Sequence, residues 1–125
     1  ERGFDVLKTF GMDNVTLLQE DAFAFLQDYR NKSLPQFDYI FLDAGKKDYI
    51  TYLPIINEVI SNGGFLICDN TFFNGKVVLD ENELTKSYAK SVPLLKEFNL
   101  ELGKSDLYET SYFWIGDGMS LSIKK

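Results

Sequence analysis

At 125 residues the chain has room for one domain at most, and 45% hydrophobic residues are enough for a real core. A net charge of −6 argues against a nonspecific nucleic-acid groove; the absence of histidine excludes Ser-His and Cys-His nucleophile pairs and any His-ligated metal. One cysteine cannot form an internal disulfide, no apolar run reaches the roughly eighteen residues of a membrane span, and no signal peptide is visible, so the expectation is a cytoplasmic protein.

Residues 1–10 read as the end of an amphipathic helix with Phe4, Leu7 and Phe10 on one face, and Gly11 is a natural C-cap. Val15 to Leu18 is a short strand, Ala22 to Tyr29 a helix, and Asn31 to Gln36 a loop containing Pro35. Tyr39 to Leu42 has no polar alternation, as in buried parallel strands. Thr51 to Ile60 is a helix in which Pro54 is tolerable only in the first turn. Asn62-Gly63-Gly64 stops it, and Phe65 to Cys68 is the next buried strand. Glu81 to Leu102 is mostly helical, broken or restarted at Pro93, with Ser91 as an N-cap of the second piece. Tyr108 to Ile115 and Met119 to Ile123 are strands joined by the turn Gly116-Asp117-Gly118. Alternating strands and helices that end in a hairpin predict an α/β fold with a mainly parallel sheet, in one domain over residues 1–125.

Two apolar strands end in oxygen-bearing side chains. Phe41-Leu42 runs into Asp43, with Lys46 three residues on; Ile67-Cys68 runs into Asp69-Asn70. Open α/β sheets bind ligands beyond the carboxyl ends of their strands. An all-oxygen set suits Mg²⁺ or a similar hard cation, which keeps few protein ligands and fills its other positions with water and substrate oxygens. The bland alternative is that each aspartate only caps a turn, a position Asp and Asn favour. Lys46 is either an ordinary solvated lysine or, beside a divalent cation that disfavours its ammonium form, a general base. Asp21 either borders a ligand at the sheet edge or caps the helix beginning at Ala22. Phe72, Phe73 and Trp114 default to core packing and Cys68 to inert core, while Glu109 and Asp117 have no partner apparent in the sequence.

These residues resemble a family. Phe37 to Tyr49 resembles the F-D-x-I-F-I-D-A-D-K-x-x-Y signature of cation-dependent O-methyltransferases, the caffeoyl-CoA and catechol O-methyltransferase group with its bacterial relatives. Asn62 to Gly75 is similar to its P-G-G-x-x-x-x-D-N-x-x-x-x-G, Leu94 to Asn99 to its R-x-F-N helix, and Tyr112 to Leu121 to its L-P-I-G-D-G-L-x-L ending. Gln19-Glu20-Asp21-Ala22 matches its G-D-A, and Gly11 to Val15 its G-L-x-N-V. The likeness runs in order over nearly the whole chain.

The resemblance implies a Rossmann-like class I methyltransferase sheet, mainly parallel with a C-terminal antiparallel hairpin. It implies that Asp43, Asp69 and Asn70 hold Mg²⁺ (or Mn²⁺ or Ca²⁺), that Lys46 takes the substrate proton, and that Asp21, Ala22, Asp43 and Tyr49 border S-adenosylmethionine. The activity it implies is O-methyl transfer to a small catechol-like acceptor; a hydroxylated tRNA base is an alternative acceptor. Gly45 stands where the family has a second acid. The family's glycine-rich E-x-G-x-x-x-G loop and the acid after its second strand have no counterpart here. In the family order 3-2-1-4-5-7-6, strands 1 and 2 would lie between Val15–Leu18 and Tyr39–Leu42. The chain is therefore expected to be the C-terminal part of the domain, or to borrow strands from a second copy. A non-catalytic fragment acting through dimer contacts is the alternative. A phosphoacceptor receiver domain is disfavoured, since it would leave Asp69-Asn70 idle.

Overall fold

The computed structural model describes residues 10–125, so the helix expected over residues 1–10 lies outside the described residues apart from its last position. The elements run α1 (Ala22–Asn31), β1 (Phe37–Leu42), α2 (Tyr49–Val59), β2 (Ile60–Asp69), α3 (Ser91–Lys104), β3 (Tyr108–Phe113) and β4 (Met119–Lys124). Short 3-10 turns occupy Lys76–Val78 and Glu81–Glu83. The four strands form one sheet in the order β1-β2-β4-β3. β1 and β2 are parallel, and β4 is antiparallel to both β2 and β3. This order equals the 4-5-7-6 portion of the sheet that the resemblance implies. Within this portion one pairing is parallel and two are antiparallel, a mixed α/β sheet that ends in the expected C-terminal antiparallel hairpin.

Four local expectations are corrected. Val15 to Leu18 is not a strand, and all four residues are exposed. A strand exists only through its ladder, and no neighbour among the described residues pairs with this segment. α2 begins at Tyr49, so Pro54 is its sixth residue, in the second turn. The buried Leu53, Ile55, Ile56 and Val59 on the same helix outweigh the hydrogen bond that proline cannot donate. Asn62-Gly63-Gly64 lies inside β2 instead of between elements. Phe37 pairs with Ile60 and Tyr39 already with Phe65, so residues 61–64 bulge out of the ladder, with Gly63 at φ +78. The long helix expected over Glu81–Leu102 is an Asp80-capped turn followed by α3, and Pro93 lies in the first turn of α3, where its missing N–H costs nothing. Ser91 is accordingly the first helical residue rather than the cap.

The buried faces of α2 and α3 cover one side of the sheet. Tyr49, Leu53, Ile56, Leu95, Phe98 and Leu102 pack against Leu42, Leu66, Cys68 and Tyr108. Phe98 meets Tyr49 edge-to-face at 5.3 Å between centroids, and burying a ring of this size contributes about 1.5–3 kcal/mol. The opposite side carries Tyr39, Phe65 and Ile123 in register across β1, β2 and β4, with Phe41 beside them, all exposed among the described residues. No described helix is long and apolar enough to cross a membrane.

Cys68, in the middle of this core, is fully buried. Burial pushes its thiol from 9.0 up to about 12, against smaller opposing pulls from Ser120 and Lys46. Burial likewise pushes Tyr108 from 10.0 to about 12. Both groups fold in their neutral forms. Their contribution to stability is therefore complete below pH 9 and declines as the pH climbs toward 12, because only the unfolded chain ionises readily in that window. We expect Cys68 to resist thiol reagents at pH 8 in the native protein and to react at once after unfolding in denaturant. Fast labelling of the folded protein would contradict its placement.

Candidate active site

Leu42 of β1 and Cys68 of β2 are register partners in a parallel pair. The next residue of each strand is an aspartate, so Asp43 and Asp69 leave the sheet side by side at its carboxyl edge, about one strand spacing (~4.8 Å) apart. Asp69 Oδ1 accepts a hydrogen bond from the Asn70 N–H at 2.7 Å, which fixes one carboxylate oxygen. Asn70 is left-handed at φ +54, a conformation asparagine tolerates better than most residues. Phe73 and Asn74 follow at φ +48 and +53. Such a contorted turn persists only where its surroundings over-determine it. Here the Thr71 N–H donates to Gly118 O at 3.0 Å, the Phe72 N–H to Asp117 O at 3.1 Å, and the Asn74 N–H to the Asp117 carboxylate. From α3, Asn99 Nδ2 donates to Thr71 O at 2.7 Å.

Lys46 reaches back to the strand ends. Its Nζ donates to Asp43 Oδ1 at 3.0 Å and to the Tyr49 hydroxyl at 2.7 Å. The lysine side chain is 13% exposed and Asp43 56%, so the ammonium lies under the rim and the carboxylate opens to solvent. Tyr49 is fully buried, and burial above all holds its hydroxyl far above the ordinary range, with Cys68 and Asp43 adding to the effect. That hydroxyl lies 3.0 Å from Leu42 O and 2.9 Å from Asp69 O. It has one proton to share between the two carbonyls and a lone pair for Lys46. Tyr49 thus ties the ends of β1 and β2 together and aims the lysine; it meets the rim through Lys46 and through the Asp69 backbone. We expect Tyr49→Phe to cost about 1–3 kcal/mol, the usual penalty for leaving buried polar groups unpaired. Unchanged thermal unfolding would show that the hydroxyl is not the clasp.

Gly45 has a structural explanation. A Cβ built there would lie 2.5 Å from Asp48 Oδ2, so the Asp48 carboxylate fills the space in which a side chain at 45 would begin. The Asp48 N–H closes the turn on Gly45 O at 2.8 Å.

Asp21 is the N-cap of α1: its Oδ1 accepts from the Ala24 N–H at 2.7 Å. It also lines an open hollow of about 220 Å³ with Phe23, Asp48, Thr51 and Tyr52. An adjoining hollow of about 250 Å³ is lined by Ala22, Asp43, Ala44 and Tyr52 among others. The fold therefore brings Asp21, Ala22 and Asp43 to one continuous surface, with Tyr52 common to both hollows. Sequence reasoning missed Tyr52, whose one signal was its place on the first turns of the helix after Lys46. Burial first, then Asp21 and Asp48, raise its hydroxyl above the ordinary value. Another hollow, of about 600 Å³, lies away from the strand ends along α3, between Glu81, Lys96 and Glu101, and none of the strand-end residues lines it.

No group of three or more Cys, Asp or Glu side chains gathered for a metal ion occurs among the described residues. Asp43, Asp69 and Asn70 supply two carboxylates and one amide on adjacent strand ends. An all-oxygen donor set this sparse fits a hard cation that retains water and substrate oxygens, and does not fit a closed protein cage.

The family model described as O-methyltransferase matches residues 3–125. Tapetum-specific methyltransferase 1 of Arabidopsis thaliana is 30% identical over 120 residues, 95% of this chain and 52% of that protein. A putative caffeoyl-CoA O-methyltransferase from Staphylococcus aureus superposes with a TM-score of 0.80 at 26% identity, over 97% of this chain and 57% of the other. An O-methyltransferase from Bacillus cereus in complex with SAH shares the fold at a TM-score of 0.71 and 22% identity, over 84% and 48% of the two chains. The chain spans about half the length of the curated relatives it matches.

Proposed function

The chain belongs to the O-methyltransferase family, and from that premise we propose that the protein carrying it moves a methyl group from S-adenosylmethionine to a hydroxyl of a small catechol-like acceptor, with a divalent cation bound and Lys46 as the general base. The observation that carries this reading is the Lys46 Nζ, 3.0 Å from Asp43 and beneath the same rim as Asp69 and Asn70.

Asp43, Asp69 and Asn70 would hold the cation through their side-chain oxygens. When bound, a divalent cation supplies the Lewis acidity that makes a chelated hydroxyl easy to deprotonate. Lys46 accepts the hydroxyl proton on Nζ, while Tyr49 and Asp43 keep that nitrogen pointed at the rim. The surface shared by Asp21, Ala22, Asp43 and Tyr52 receives the cofactor beside the acceptor. The acceptor oxygen then forms a bond to the methyl carbon as the carbon–sulfur bond breaks, leaving S-adenosylhomocysteine. Holding donor and acceptor in line provides a large part of the acceleration. Titration calorimetry of S-adenosylmethionine with and without Mg²⁺ tests the site. Binding strengthened by the cation supports the reading, and no binding to the longest natural polypeptide carrying this chain would refute it.

One observation favours a second reading, a module that persists through contacts with a second copy. The sheet face bearing Tyr39, Phe41, Phe65 and Ile123 is uncovered among the described residues, and contiguous apolar patches mark interfaces. A concentration-independent monomer in sedimentation would remove that reading.

A further inference from the structure

Trp114 is 75% exposed, at the same edge of the sheet as the strand-end aspartates. It follows Phe113, whose register partner is Met119, which in turn pairs with Asp69. Two strand spacings, about 10 Å, therefore separate Asp69 from the end of β3. The gap is bridged by Phe72, three residues beyond Asp69 in the same turn. Its ring lies 4.8 Å from that of Trp114 at a 34° tilt, and 6.2 Å from that of Tyr112 on its other contact. The Phe72 backbone is pinned to Asp117 O. Its ring presses on Gly118 where a Cβ would collide, and Gly118 holds φ +82. Tyr112 is fixed in turn by its hydroxyl, which donates to Asn99 O at 2.6 Å. A large indole left open to water on an immobilised aromatic support is not core packing, which is where the sequence alone would place it. The family ending L-P-I-G-D-G-L has proline at this position, so the indole belongs to this chain and not to the general pattern.

Resting on the function proposed above, we propose that Trp114, seated on Phe72, is an acceptor-specificity residue. It forms a shelf for the far ring of a planar polyphenol whose vicinal hydroxyls lie at Asp43, Asp69 and Asn70. A bare catechol ring is shorter than the separation of about 10 Å and leaves the shelf empty. A planar two-ring polyphenol reaches it. Stacking of this kind changes affinity by roughly three- to tenfold.

The test uses the longest natural polypeptide carrying this chain, with S-adenosylmethionine and Mg²⁺. KM is measured for catechol and for a planar two-ring polyphenol with vicinal hydroxyls, in the parent, Trp114→Leu and Trp114→Phe. Trp114→Leu should raise KM about three- to tenfold for the polyphenol and leave catechol unchanged, with Trp114→Phe restoring most of the loss. Because the residue is exposed, the variants should fold. An equal effect on both acceptors, or none on the polyphenol, overturns the assignment. If neither acceptor is methylated, the function proposed above has failed, and the difference in fluorescence between parent and Trp114→Phe then decides the shelf alone. Saturable quenching of Trp114 by the polyphenol supports the shelf, and its absence overturns it.

Discussion

Lys46→Ala is expected to lower the turnover of methyl transfer by about 10²–10⁴-fold, the usual contribution of a positioned general base. Binding of cation and cofactor should remain. The lysine touches Asp43 and Tyr49 and supplies no ligand oxygen. Its removal frees Asp43 Oδ1, so cation affinity should hold or rise. Lys46→Arg should not restore turnover, because a guanidinium stays protonated and cannot accept the proton. Single-turnover kinetics with saturating cation separate the outcomes. A Lys46→Ala protein of parental turnover would remove lysine from the chemistry and leave it as an ion-pair partner of Asp43.

If Asp69 is a ligand as proposed, Asp69→Ala should weaken cation binding by more than the about 10–100-fold that loss of a supporting residue costs. The substitution also deletes the acceptor for the Asn70 N–H. Asp69→Asn separates the two effects: the amide oxygen can still accept from Asn70, while the charge is gone. We expect both variants to lose cation binding in calorimetry and only Asp69→Ala to lose thermal stability as well. Parental cation affinity in Asp69→Asn would place the ion elsewhere.

Much of the rim was legible in the sequence because it follows from strand ends. An apolar run that stops at Asp43, and another at Asp69-Asn70, already implies two carboxylates at one sheet edge once the strands pair in parallel. The Lys46 spacing is likewise local, one turn from Asp43. The parts that were not legible depend on contacts between distant segments. Nothing in the sequence places the Tyr49 hydroxyl against both Leu42 O and Asp69 O. Asp117, without a partner in the sequence, proves to be the acceptor that ties down Asn74 across the β3–β4 turn. Asp48 fills the space over Gly45 because the intervening turn folds back on itself, which a comparison of residue types cannot reveal. Val15–Leu18 failed for the opposite reason: its composition is strand-like, but a strand is a property of a pair. Pro54 failed because the packing of α2 against the sheet overrode a local rule.

The central claim is that the Asp43, Asp69 and Asn70 oxygens serve a cation required for methyl transfer. Its most direct test is transfer from labelled S-adenosylmethionine to a catechol acceptor by the longest natural polypeptide carrying this chain, first with a chelator and then with Mg²⁺ restored. Transfer should disappear with the chelator and return with the cation in the parent, and stay absent in Asp69→Asn. Transfer that proceeds undiminished in the chelator would contradict it.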